Sequence, residues 1–125
     1  GRTTVKGVLA GSARAHVTGW IRIPKSGNNA DAFLDERFML LSLKARAKAE
    51  PMLEILANDV KASHAATVSR VDDEQLFYLG SRGIAPSEGK RLLIEAFVES
   101  VFAGVEDESI RDACTSELAT ILVSV

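Results

Sequence analysis

Apolar residues alternate along roughly the first seventy positions of this chain and then, at Val71, switch to helical spacing. A period of two sends successive side chains to opposite faces of a strand, whereas a period of 3.6 gathers them on one face of a helix. The chain is therefore neither all-helical nor all-β. Alternation is clearest in Val17, Gly19, Ile21, Ile23 and in Leu53, Ile55, Ala57. Breakers divide the strand region at Gly11-Ser12, across Pro24 to Asn29, at Glu50-Pro51 and at Asn58-Asp59. Their spacing of roughly twenty residues suits the turns of a solenoid. The run Phe38-Met39-Leu40-Leu41, continued by Leu43, is apolar on both faces, as a strand covered from both sides requires, although a short helix satisfies the same pattern. No short motif recurs, so the residues alone leave a β-helix fragment and a small sandwich both open.

Beyond Val71 the signals are those of helices. Asp72 is placed to cap a first helix with Gln75 in capping-box position, Leu76, Phe77 and Leu79 supply its buried stripe, and Gly83 ends it. Pro86 opens a second, with Leu93, Ala96, Phe97 and Val101 on one side and Gly104 as its close. The acids Glu106, Asp107 and Glu108 suit the start of a third, whose stripe runs Ile110, Ala113, Cys114, Glu117, Leu118, Ile121, Leu122. The expected organisation is strands over 1–71 and a helical subdomain over 72–125.

Charge and cysteine content narrow the partners. A net charge of −2 with interspersed signs provides no field for nucleic acid and no polybasic stripe for a membrane, so proteins are the expected partners. The lone Cys114 forms no internal disulfide, and no leader-like or membrane-spanning run is visible, which points to a cytoplasmic setting.

The stretch from Asp59 to Ile84 joins the two halves through one sequence, DVKASHAATV followed by DDEQLFYLGSRGI. It resembles the carboxyl-terminal core of the SufB/SufD family, most nearly its SufD branch. The resemblance implies the last coils of a right-handed parallel β-helix followed by a small helical subdomain, as one portion of a longer protein. It also implies a non-catalytic scaffold subunit of the SUF iron–sulfur cluster assembly complex. Such a subunit pairs through its β-helix with SufB, with a SufD paralogue or with a second copy, and binds the SufC ATPase through its terminal helices. His64 matches the family histidine at the cluster-assembly interface. Two departures stand beside it: Ala62 replaces the cysteine of SufD-type relatives, and Ala65 stands where SufB has a glutamate.

Each motif also has a plainer meaning. One imidazole without a second ligand at strand spacing is no metal site, so His64 on its own chemistry reads as a hydrogen-bonded core residue, sharing a face with Val60, Ala62, Ala66 and Val68. His16, a lone histidine in a strand, reads as structural. Cys114 lies on an apolar stripe and behaves as a small hydrophobe; one cysteine cannot ligate a cluster, so none is expected on this chain alone, a transient one being expected only in the assembled complex. The segment from Gly83 to Lys90 superficially resembles a phosphate loop, but it has one residue too many, Arg91 in place of Ser/Thr, and a helix before it. Adjacent Phe77 and Tyr78 cannot both face one core, so at least one points to solvent, another domain or a partner; with Arg82 they are the candidates for the ATPase docking that the resemblance implies.

Two readings compete with the scaffold. A β-helix carbohydrate-active enzyme would need clustered acids, and Asp31, Asp35, Glu36, Glu50, Glu54 and Asp59 form no recognisable pair. A structural interaction module that has lost cluster chemistry is consistent with Ala62.

Overall fold

The computed structural model describes residues 1–122, apart from the side chains of Ala103 and Leu122. Five strands come first: β1 (Arg2–Leu9), β2 (Arg14–Ile23), β3 (Asp31–Leu40), β4 (Arg46–Ile55) and β5 (Lys61–Arg70). Three helices follow: α1 (Asp73–Ser81), α2 (Pro86–Glu99) and α3 (Glu108–Leu122), with a 3₁₀ turn over Phe102–Gly104 between the last two. The chain forms two compact units that divide between Ser69 and Arg70.

Odd and even strands go to different sheets, one ordered β1-β3-β5 and the other β2-β4. β1 runs parallel to β3 with Arg2 opposite Phe33, and β2 parallel to β4 with Arg14 opposite Arg46. Parallel neighbours joined through a strand of the other sheet are the mark of a solenoid-like winding. They exclude the small sandwich, whose sheets would be antiparallel.

The core lies in this unit, where Leu9, Phe38, Leu40 and Ala45 are buried together with Val5, Val17 and Ala47 against them. Close packing explains Gly7: a Cβ there would meet the Phe38 ring at 2.6 Å. Alternation in β2 is as expected, Val17, Gly19, Ile21 and Ile23 being half-buried or buried between exposed neighbours.

Three expectations for the strands are corrected. Glu50-Pro51 is no break but the middle of β4, opposite Thr18 and Gly19. Among the described residues β4 pairs on one edge alone, so a proline without an N–H fits if it faces the open edge. The true break falls at Ser42-Leu43-Lys44, which leaves Leu43 exposed rather than in a buried strand. Ser42 holds this turn by donating its hydroxyl to the Gly11 carbonyl and accepting the Ala45 N–H. With that turn counted, breaks recur more often than every twenty residues. Leu53 and Ile55 are also exposed, because no further described strand covers their edge.

The helical unit follows its caps. Asp72 accepts the Glu74 N–H at 2.9 Å. At the far end of α1, Gly83 has φ +85° and donates to Gly80, while Ile84 donates to Leu79, a Schellman closure that needs a left-handed residue. Gly89 of α2 is buried against α1, beside Leu76 and Leu79. Asp107 caps α3 by accepting the Ser109 N–H at 2.9 Å.

Several expected stripe residues are misplaced. Phe77 is exposed, because Leu76 and Leu79, three residues apart, already form the inward line of α1 and Phe77 lies a quarter-turn off it. Ala96 is exposed while Ile94 becomes the buried anchor of α2. That helix ends at Glu99; Gly104 closes only the 3₁₀ turn after it. Ile110 and Ile121 are exposed near the ends of α3, and the side chain of Leu122 lies outside the described residues.

Candidate functional site

His64 stands on β5 among neighbours that alternation alone does not order: Ala62 and Ala65 are half-buried, while Ser63, His64 and Ala66 are exposed. An exposed imidazole with no hydrogen-bond partner among the described residues is not the satisfied core histidine of the plainer reading. It is a donor and acceptor displayed at the surface of the strand unit.

The residues of α1 form a second feature, within the helical unit. Phe77 is 79% exposed and Tyr78 57% exposed, so both aromatics look outward. The Arg82 guanidinium lies 5.2 Å from the centre of the Tyr78 ring, one helical turn on, where cation–π attraction holds the ring and the charge together. Beside them Asp72, Glu74, Gln75, Tyr78, Leu79 and Leu93 line a shallow hollow of about 380 Å³. An exposed aromatic pair with an arginine has the composition of protein-binding hot spots. The acids Asp72 to Glu74 are accounted for by capping rather than by acid–base chemistry. The helix, turn and helix around Gly83 form no phosphate cradle.

Cys114 is half-buried and lines an apolar groove with Val98, Phe102 and Leu118, as a small hydrophobe does. Among the described residues no three His, Cys, Asp or Glu side chains converge on a metal position. No described helix is long and apolar enough to cross a membrane.

Two features escaped the sequence. On the outer face of the β2-β4 sheet, Glu50 pairs with both His16 and Lys48, and Arg22 pairs with Glu54 while lying 5.4 Å from the Trp20 ring. The hydrogen bond from Lys48 and then that from His16 hold the Glu50 carboxyl below its ordinary 4.5. His16 is thus an exposed hydrogen-bond partner of Glu50; only the parallel register brings together residues 34 positions apart. The second is Glu36, fully buried inside the strand unit. Its signal was present, since it alternates inward with Leu34, Phe38 and Leu40, but among apolar neighbours an acid passes for a strand's outer face.

A family profile described as "SUF system FeS cluster assembly, SufBD core domain" matches residues 1–97. The chain belongs to the SufB/SufD family. It is 36% identical over 106 residues to the iron–sulfur cluster assembly protein SufD of Escherichia coli (strain K12), covering 85% of this chain and 25% of that protein. The SufD of Bacillus subtilis (strain 168) is 40% identical over 110 residues, covering 88% of this chain and again 25% of the relative. Protein ABCI7, chloroplastic, of Arabidopsis thaliana is 32% identical over 115 residues, 92% of this chain and 24% of that protein. This SufB/SufD chain therefore spans about a quarter of the length of the curated relatives it matches. Both features, β5 with His64 and α1 with Phe77 and Tyr78, lie within the matched segment.

Proposed function

We propose that this chain is part of a non-catalytic scaffold subunit of the SUF machinery, acting in the cytoplasm. Its strands are the last coils of a right-handed β-helix that pairs with SufB, a SufD paralogue or a second copy, and its helices bind a SufC-type ATPase. The observation that supports this best is the outward display of Phe77 and Tyr78 with Arg82 stacked on the ring. A helix with no fully buried residue of its own gains by covering two large aromatics with a partner. His64 serves the pairing interface, where a nascent cluster is transient cargo. The chain alone holds no stable cluster, its single cysteine being a helix residue in an apolar groove.

The docking test is binding of the ATPase to the intact protein and to Phe77→Ala, Tyr78→Ala and a form truncated at Val71. Truncation abolishes binding, and each alanine weakens it tenfold or more, corresponding to about 1.4 kcal/mol. Unchanged affinity of the truncated form places docking elsewhere. For His64, alanine leaves the melting temperature near normal and depresses cluster formation in cells. A destabilised protein with full assembly activity would sink that assignment.

A further inference from the structure

Charge is divided unevenly along this chain. Gly1–Ser69 carries ten Lys and Arg against six acids, and the remaining residues carry five against eleven, so the net charge of −2 conceals a cationic strand unit. Part of that excess gathers on the outer face of the β2-β4 sheet. Arg14 lies directly opposite Arg46 and His16 directly opposite Lys48, and all four are exposed. Like charges facing each other across a strand pair repel, and an anion laid over them relieves the repulsion. Glu50 already does this for His16 and Lys48. Arg14 and Arg46 have no acidic partner among the described residues; Arg46 donates to the Leu43 and Ala45 carbonyls instead. Lys44, exposed in the turn just before β4, adds charge at the same end.

Farther along the same face stands an apolar pair. Trp20 is 56% exposed and lies opposite Met52, which is 38% exposed. Arg22 lies over the Trp20 ring and pairs with Glu54 across the strands, which holds the indole in place. Trp, Met and Arg are residue types that protein interfaces favour, and a tryptophan fixed in advance is a ready anchor. Six residues of strand separate the Arg14 and Arg46 pair from the Trp20 and Met52 pair, about 20 Å. A ligand that matches both ends has carboxylates at one end and an apolar side chain at the other. A nucleic-acid strand or an anionic membrane matches less well, since its unbroken negative charge would also run over Glu50 and Glu54.

We infer that the outer face of the β2-β4 sheet binds an acidic segment of a partner protein, with carboxylates on Arg14 and Arg46 and an apolar side chain on Trp20 and Met52. This face lies in a different sheet from β5 and includes no helical residue, so its ligand is separate from the partners proposed for His64 and α1.

Trp20 is the one tryptophan of the chain, so its emission reports binding directly. The probe is a synthetic peptide of about ten residues, glutamate-rich at one end and with phenylalanine at the other, titrated into the full chain. Trp20 emission shifts to saturation, and affinity falls as salt is raised, because ion pairs at an exposed surface are screened. The double variant Arg14→Gln/Arg46→Gln weakens binding at least tenfold, as does glycine in place of the peptide's phenylalanine. Trp20→Ala does the same when binding is read from a fluorophore on the peptide; if that variant fails to fold, the arginine pair decides. Lys25→Gln and Lys61→Gln, in the turn after β2 and in β5, bind as the wild type does. No binding by the wild type, equal binding by the arginine double variant, an equal loss in Lys61→Gln, or tighter binding of oligothymidylate or of phosphatidylserine-containing vesicles than of the peptide would each overturn the inference.

Discussion

The strand unit and the helical unit spend their apolar residues differently. In the first, Leu9, Ile23, Leu34, Phe38, Leu40 and Ala45 are buried between or beside the sheets. Among the described side chains of the second, Ile94 is the one hydrophobic residue buried to that degree, while Phe77, Tyr78, Ile110 and Ile121 face outward. Both units leave some apolar surface exposed, but the strand unit has a cluster of buried residues and the helical unit, among its described side chains, a single anchor. The lesson is that apolar content does not report burial; the strand unit buries the side chains that lie between its two sheets, yet Trp20, Leu43, Leu53 and Ile55 stay exposed, and the helices enclose fewer still.

The comparison breaks most visibly in the two cores. Phe38→Ala, at 3% exposure in a packed interior, should cost about 3–5 kcal/mol, read as a drop in the denaturant midpoint. Ile94→Ala, at 2% exposure, should cost less, roughly 2–3 kcal/mol, because truncating isoleucine removes fewer buried carbons than truncating phenylalanine; loss of helical circular dichroism is its readout. An Ile94 effect as large as that of Phe38 would show that the helical unit has a core of equal weight. At its entry, Asp72→Ala should cost about 1 kcal/mol by orphaning the Glu74 N–H, with Asp72→Asn close to neutral in the same melts.

Smaller effects sharpen the contrast between stability and contact. Phe77→Ala should change stability by no more than about 0.5 kcal/mol, since an exposed side chain leaves no cavity, while its partner binding falls. Smallest is the pH effect at Glu50. Its carboxyl is held below 4.5 in the folded state by Lys48 and His16, so its stabilisation is present above 4.5 and is lost as pH falls through the lowered folded value. The melting difference between wild type and Glu50→Gln should therefore shrink on acidification below that range and hold steady above it. A gap that grows on acidification would contradict the pairing.

Local rules that depend on neighbours in the chain were legible in the residues. The switch of period at Val71, the cap at Asp72, the left-handed close at Gly83 and the start at Pro86 all stand where such rules put them, because capping and turn chemistry act within a few residues. The stretch around His64 likewise pointed to the SufB/SufD family. Decisions that depend on distant partners were not legible. Pro51 lies within β4 because of where that strand sits in its sheet, and Leu53, Ile55 and Phe77 are exposed because no described element covers them. His16 meets Glu50 only through the register of two parallel strands. Glu36 is buried because β2 offers a glycine opposite it. The sequence determined where elements begin, end and change type, since those choices are made by adjacent residues; tertiary structure alone decided which faces are covered, since burial depends on what the rest of the fold brings alongside.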